Sequence, residues 1–343
     1  MKMRKEFIIL LIISFFLGIA PIFFHGNLYI MNILTICMIW AVVAASWDLI
    51  MGFAGIFSFG QVAFFVSGAY GSVILALNFG LSPWFGILAG GAIASVIGIL
   101  VCIPCLRLKG AYIALATFAI HMVLEPLIKS KLGIALGTGG ALGLLGIPSL
   151  KIGGYVFSNM EPVPSFYAAM GIFLVSLLII YKIIFSGWGL AFIALRDSEV
   201  FAKSLGVNDY KYKLLVFGVS AFLTGSVGAF YAHYVQVLSS RMLSFDLFLT
   251  LMVMLVLGGI GRFPGAVIGA LIATFFSEIL RPLETYRGLV FGGTVVLLVI
   301  FMPQGIMGIL FQDRGLGLVK RIGRFARQKI NWASSILLIF LRG

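Results

Sequence analysis

Apolar residues run through this chain in about ten blocks of roughly 17–24 residues, each near the length of helix that crosses a bilayer core, with short polar interruptions between them. The blocks fall near residues 7–24, 28–50, 56–77, 83–103, 110–128, 165–185, 214–237, 246–262, 264–280 and 286–303. Strands of an outer-membrane barrel would alternate apolar and polar residues, whereas stretches such as 7–24 and 247–257 are apolar almost throughout. In lipid, a backbone has to satisfy its own hydrogen bonds. The pattern therefore predicts an all-α, polytopic membrane helix bundle.

Composition agrees. With 62% hydrophobic and 10% charged residues, too little polar surface remains to cover a fold in water. A length of 343 residues fits ten spans and short loops, with no room for a sizeable soluble domain. The expected division is a transmembrane domain over 1–310, holding a cytoplasmic segment at 187–213 and an outer loop at 129–165, followed by a basic tail at 311–343. In that tail Lys320, Arg324 and Arg327 form one helical stripe and Ile322, Phe325, Ala326 and Ile330 another, a pattern that suits a helix lying on an anionic leaflet or against a cytoplasmic partner.

The net charge of +13 would suit nucleic acid, but the basic residues sit at the ends of spans rather than on one folded face. With the N-terminus inside, Lys2, Arg4, Lys5, Arg107, Lys109, Lys182, Arg196, Lys203, Lys211, Lys213, Arg262 and the tail collect on the cytoplasmic side. Lys129, Lys131, Lys151, Arg241, Arg281 and Arg287 remain outside. The positive-inside rule thus favours both termini in the cytoplasm and a lipid bilayer, not nucleic acid, as the partner. The first block imitates a secretory signal, yet its apolar run is long and Gly18-Ile19-Ala20-Pro21 makes a poor cleavage site, so it is read as a span.

Candidate chemistry is sparse. Cys102 and Cys105 form a lone C-x-x-C without further ligands and read as small buried hydrophobes; no metal site and no catalytic residues are expected. Glycines cluster at Gly52, Gly55, Gly60, Gly68 and Gly71, and again at Gly258, Gly259, Gly261, Gly265 and Gly269. Small residues allow helices to pack closely, and they also allow a helix to break beside a substrate path. Gly52-Phe53-Ala54-Gly55 followed by Ser58, Gly60 and Gln61 suits the second use best. Ionisable residues within spans are functional suspects. His121 shares a helix face with Glu125 and, one turn earlier, with Thr117. Glu278 can pair with Arg281, Asp246 suits a helix N-terminus, and the pattern does not decide the roles of Asp48 and His233. The outer loop, with Thr138-Gly139-Gly140 and Gly146-Ile147-Pro148, reads as turns, serving either a docking surface or a connector.

The cytoplasmic segment is the richest in polar signal. Glu199 and Lys203 form an i,i+4 pair, and Ala202 and Gly206 make a close-approach surface; spacing alone suits either a solvated loop helix or a helix that docks into a groove on another protein. The stretch from Trp188 to Tyr231, with Arg196-Asp197-Ser198-Glu199, Ala202, Ser204-Leu205-Gly206, Tyr212-Lys213-Leu214, Ser220-Ala221, Gly225 and Gly228, resembles the M-type permease subunit of branched-chain amino acid ABC importers. Ser58-Phe59-Gly60-Gln61, the loop from Thr138 to Pro148 and Gly258-Gly259-Ile260-Gly261 agree, so the resemblance covers about Trp47 to Gly308. It implies that Arg196, Asp197, Glu199, Ala202, Lys203 and Gly206 form the helix that couples to the ATPase. Importers of this kind place Glu-Ala-Ala three residues before Gly; here Val200, Phe201 and Ala202 stand there, and the acid is displaced to Glu199.

The resemblance further implies separate ABC ATPase subunits that carry the ATP and Mg, a paralogous second permease, an extracytoplasmic substrate-binding protein, and a location in the inner membrane of a bacterium or archaeon. The dipeptide Gly-Lys is absent from the chain, which excludes a phosphate loop of the G-x-x-x-x-G-K-[ST] type and fits a transport subunit rather than an enzyme. Ser58, Gly60, Gln61, Thr117 and His121 are the candidates for the substrate path. A urea or short-amide permease of the same superfamily is the nearest alternative, and an ion-coupled secondary transporter is the alternative from another class.

Overall fold

A computed structural model describes residues 5–24, 27–108, 110–153 and 155–281, together with 290, 292–294, 296–297 and 305–311. In chain order the helices are α1 (Lys5–Phe24), α2 (Leu28–Asp48), α3 (Gln61–Phe79), α4 (Pro83–Cys105), α5 (Ala111–Lys129), α6 (Lys131–Ala135), α7 (Pro162–Ile184), α8 (Gly187–Asp197), α9 (Glu199–Ser204), α10 (Asp209–Val235), α11 (Phe245–Gly258) and α12 (Gly265–Ile279). A π-helical turn, Leu49–Phe53, extends α2. Among the described residues seven helices are long and apolar enough to cross a membrane, namely α1 to α5, α7 and α10. The eighth and ninth expected spans form shorter helices, α11 of 14 and α12 of 15 residues, because the glycine-rich turn at 259–264 takes residues from both.

Local sequence sets these ends. The Asn27 side chain accepts from the Ile30 amide at 3.2 Å at the start of α2, and the Asn208 side chain caps α10 through the Lys211 amide at 3.0 Å, each answering an orphan donor of the first turn. Pro83 and Pro162 open α4 and α7, where a missing amide costs no hydrogen bond.

The centre of the bundle is α3, α4 and α10, packed through small residues. A Cβ placed on Gly68 would lie 2.4 Å from Gly225 Cα, and one on Gly225 would lie 2.2 Å from Ala94 Cβ. Lipid offers apolar side chains no hydrophobic reason to leave it, so close contact of this kind supplies the dispersion energy that holds membrane helices together. Trp40 of α2 stacks against Phe65 at 5.0 Å and reaches Tyr231, joining α2 to this centre. Cys102 and Cys105 are buried and free, as the apolar reading expects.

The outer loop is anchored rather than loose. Two short antiparallel pairings hold it, Leu144–Leu145 with Val237–Leu238 and Leu150–Ile152 with Tyr155–Phe157. His233 is fully buried: Nδ1 lies 2.8 Å from the Pro148 carbonyl, which can only accept, so Nδ1 carries the proton and Nε2 accepts from Ser72 Oγ at 2.9 Å. Trp84 donates to the Lys151 carbonyl at 3.1 Å. Glu278 meets Arg281 at 2.9 Å, and Asp246 stands in the first turn of α11, both as expected.

By internal contacts the chain divides into Met1–Met307 and Gly308–Gly343. Most of the tenth expected span and the tail with Lys320, Arg324 and Arg327 lie outside the described residues.

Candidate coupling junction and substrate path

The α2 helix loses its regular form just where glycines arrive. After the π turn, residues 54–60 are not helical, so the third expected span, drawn from 56, begins at Gln61. Ala54 donates to the Leu49 carbonyl at 3.0 Å and Ile56 to the Ile50 carbonyl at 2.9 Å, a wide spiral in place of α-helix. Gly55 adopts φ +68°, a left-handed backbone that side chains resist. Beyond it the freed backbone finds partners from other elements: Phe59 N donates to Thr117 Oγ1 at 2.8 Å, and Trp47 Nε1 donates to the Ser58 carbonyl at 2.7 Å. Irregular backbone at membrane depth persists where neighbours answer its polar groups in this way.

Three of the five expected path residues come together at this break. Ser58 and Thr117 are buried, and a Cβ on Gly60 would lie 3.7 Å from Thr117 Cβ and 3.8 Å from Ser58 Oγ. Gln61 turns to the other side. Its Nε2 donates to Ser220 Oγ at 3.2 Å and to Thr224 Oγ1, while Ser220 Oγ donates to the Ser46 carbonyl at 2.6 Å, which ties α2, α3 and α10 together.

His121 sits one turn above Thr117, fully buried, and neither ring nitrogen has a hydrogen-bond partner, although the backbone of Leu243 lies beside the ring. It stacks on Phe118 at 6.0 Å, and Phe248 lies 6.0 Å away. Phe59, from the break itself, closes on Phe248 at 5.3 Å and Phe118 at 6.4 Å. The result is an aromatic box with one unanswered polar ring. Buried polar groups without partners are costly, and such a group marks a place where something else can bind. Glu125, on the same helix face, is taken by Lys129 at 2.6 Å.

The coupling segment departs from the single helix expected across Arg196 to Gly206. Ser198, at φ −159° and ψ 104°, separates α8 from α9, and its hydroxyl caps the second helix by accepting from Phe201 N at 3.3 Å. The expected close-approach surface of Ala202 and Gly206 does not form either. Ala202 is fully buried on the inner face of α9, whereas Gly206, at φ +84°, faces open space and ends the helix. The exposed face is Val200 (83%), Phe201 (64%) and Leu205 (67%).

Charges brace this segment. Glu199 meets Lys203 at 2.8 Å and Lys213 at 2.9 Å, and Lys203 also meets Asp209 at 2.8 Å. The ammonium of Lys203, and then that of Lys213, holds the Glu199 carboxyl below the usual carboxylate range. Asp209 and then Glu199 push Lys203 up to about 12.

Arg196 links the coupling segment to the break. Its Nη1 donates to the Gly52 carbonyl at 2.9 Å, its Nε to Asp197 at 3.0 Å, and a Cβ on Gly55 would fall 2.3 Å from Arg196 Cγ. Asp48, nearly fully buried, accepts from Gly261 N at 2.7 Å, which draws in the turn between α11 and α12. A Cβ on Gly52 would collide with that Asp48 oxygen at 2.2 Å and with Gly261 N at 2.3 Å. Sequence reasoning left Asp48 undecided. Its signal was the carboxylate itself, since an acid that deep in a span requires a partner.

No solved structure matches the chain. Among curated proteins it is similar to the high-affinity branched-chain amino acid transport system permease protein LivM of Salmonella typhimurium, 28% identical over 80% of this chain and 69% of that protein. LivM of Escherichia coli is 27% identical over the same shares, and the permease protein BraD of Pseudomonas aeruginosa is 25% identical over 84% of this chain and 97% of its own length. The family model described as branched-chain amino acid transport system, permease component, matches residues 29–301, and the chain belongs to that family.

Proposed function

We propose that this multi-pass protein is one of two paralogous permease subunits of an ATP-driven importer of branched-chain amino acids in a bacterial or archaeal inner membrane. A separate ATPase drives it, and an extracytoplasmic binding protein delivers its substrate. The observation that carries this reading is the aromatic box with its unpartnered imidazole, set directly above a helix break that Arg196 grips. An aliphatic side chain suits the Phe59, Phe118 and Phe248 rings, and a zwitterionic head suits His121, Ser58 and the backbone of the break. The aromatic walls suit an aliphatic side chain, which urea lacks, and that favours the branched-chain substrate. Escherichia coli K12 holds both a LivM and a LivH permease protein similar to this chain, and that supports a second permease beside it.

This chain contributes binding, exclusion of water and movement, and no bond is made or broken on it. ATP and Mg belong to the partner ATPase, which docks on Val200, Phe201 and Leu205. Its closure moves α8 and α9. The Arg196 guanidinium passes that motion to the Gly52 carbonyl, the break turns, and the Phe59 to Thr117 bond that shuts the box gives way. Buried side chains around the box keep water out while the path is closed.

The test is leucine uptake by cells producing the whole importer. Phe201→Asp places a charge at the docking face, and about a tenfold or larger loss of uptake is expected at unchanged permease levels, the loss typical of a contact central to an interface. His121→Ala should lower uptake as well. Unchanged kinetics in both variants would overturn the reading.

A further inference from the structure

Beneath the coupling helices lies a cavity of about 330 Å³ whose lining includes none of Ser58, Gly60, Gln61, Thr117 and His121. Its walls come from the helix break, the start of α5, the α8 to α9 junction and the first turns of α10. Small-molecule pockets run from about 300 to 1,000 Å³, so this one has room for a compact ligand. Four charged residues line it, Arg196, Asp197, Glu199 and Lys213, with Ile113 and Phe192 among its apolar walls. The two positive and two negative charges cancel, Arg196 pairing with Asp197 at 3.0 Å and Lys213 with Glu199 at 2.9 Å. An anion or a cation entering alone would leave one charge unanswered, whereas a zwitterion adds none. The lining therefore suits a small molecule with a carboxylate and an ammonium group, each able to replace one partner in these pairs, and an apolar side chain for Ile113 and Phe192.

We propose that this cavity is an inhibitory site for a branched-chain amino acid on the cytoplasmic side, the cargo already released. The inference rests on the substrate reading above. The carboxylate lies between Lys213 and the Arg196 guanidinium, the ammonium meets Asp197 and Glu199, and the side chain rests on Ile113 and Phe192. Arg196 is the residue that holds the Gly52 carbonyl, and Lys213 is one of the two that hold Glu199. A carboxylate that draws the Arg196 guanidinium into the cavity weakens its hold on the break, and the stroke of the ATPase is then no longer passed on. The docking face uses other residues, Val200, Phe201 and Leu205 on α9 and its C-cap, so ligand and ATPase can be present together. Cargo accumulating inside thereby slows its own import.

The experiment uses the complete importer in right-side-out vesicles with ATP trapped inside, and reads the initial uptake of labelled leucine with and without unlabelled leucine in the lumen. Lumenal leucine is expected to lower the rate at least about fivefold, within the range usual for coupling between two sites. Lumenal 4-methylpentanoate, which lacks the ammonium, and isoamylamine, which lacks the carboxylate, should leave it unchanged. Ile113→Trp, which fills the cavity, and Lys213→Gln, which removes a carboxylate partner, should each bring the ratio of the two rates close to one. Reading the ratio within each variant makes a lowered basal rate irrelevant, and if neither variant assembles, the two analogues in the unaltered importer decide. A vesicle that imports no leucine at all would contradict the substrate reading. Import that proceeds without inhibition, inhibition by either analogue alone, or inhibition that survives in both variants would overturn the cavity.

Discussion

Glycine serves opposite ends in two parts of this molecule. In the α3, α4 and α10 centre, Gly68 and Gly225 sit in regular helices, and the absent side chains let backbones close to contact that a Cβ would forbid at 2.4 and 2.2 Å. At the junction, Gly52, Gly55 and Gly261 serve a backbone that has left the α-helix, held by single hydrogen bonds that Arg196 donates to the Gly52 carbonyl and Asp48 accepts from the Gly261 amide. Packing of the first kind resists change because every neighbour has to shift at once. Hydrogen bonds of the second kind can be exchanged one at a time. The contrast leads us to expect a frame that stays and a joint that turns, and the joint is where α8 attaches through Arg196.

The largest effect is expected in the frame. Gly68→Leu drives a side chain into the Gly225 backbone, an overpacking cost of about 3 kcal/mol or more, and the protein should be depleted from the membrane and lose thermal stability sharply. Normal levels and uptake in this variant would remove the frame from the account. At the joint, Asp48→Ala leaves the half-buried Gly261 amide without its acceptor. That should cost about 1–3 kcal/mol, with uptake falling about tenfold while the folded protein persists. Asp48→Asn keeps an acceptor oxygen, so uptake close to that of the unaltered chain is expected, and a loss equal to that of the alanine variant would contradict the hydrogen-bond role.

The smallest effect concerns the exposed charge cluster. Lys203 and Lys213 hold the Glu199 carboxyl below its ordinary value, so its contribution to stability is fully present above about pH 4.3, the unfolded-state value, and is lost as pH falls through the lower folded-state value. Solvent screening limits it to below about 1 kcal/mol. The difference in thermal stability between the unaltered protein and Glu199→Gln should therefore be small at pH 7 and shrink below pH 4. A difference independent of pH would show that the cluster does not brace α9.

Much of this was legible along the chain, for physical reasons that also set its limits. Span positions follow from hydropathy, but the helices at Pro162 and Asp209 begin ahead of the expected 165 and 214, because Pro162 and the Asn208 cap act through local backbone chemistry that hydropathy does not register. The helix break was visible in Gly52-Phe53-Ala54-Gly55, but its end was not, because Ile56, Phe57 and Phe59 are apolar and hydropathy is blind to backbone form. Ser198 carried a capping signal that the apolar and charged alternation around it outweighed. Asp48 and His233 were undecidable since their partners are backbone groups far away in sequence, the Gly261 amide and the Pro148 carbonyl. Gln61 and His121 looked alike as polar residues within spans; one is answered by the Ser220 and Thr224 hydroxyls, whereas the other, among the described residues, has no side-chain hydrogen-bond partner and has the Leu243 backbone beside it.

The central claim is that the helix break travels with the coupling helices rather than with the frame. Pairs of spin labels placed on the exposed residues Phe57, Leu190 and Leu100 of the reconstituted importer, compared with and without ATP, measure this directly. The Phe57 to Leu190 distance is expected to hold while both distances to Leu100 of α4 change by about 2 Å or more, the scale of helix shifts in switching proteins. A Leu190 that moves while Phe57 stays fixed relative to Leu100 would contradict it.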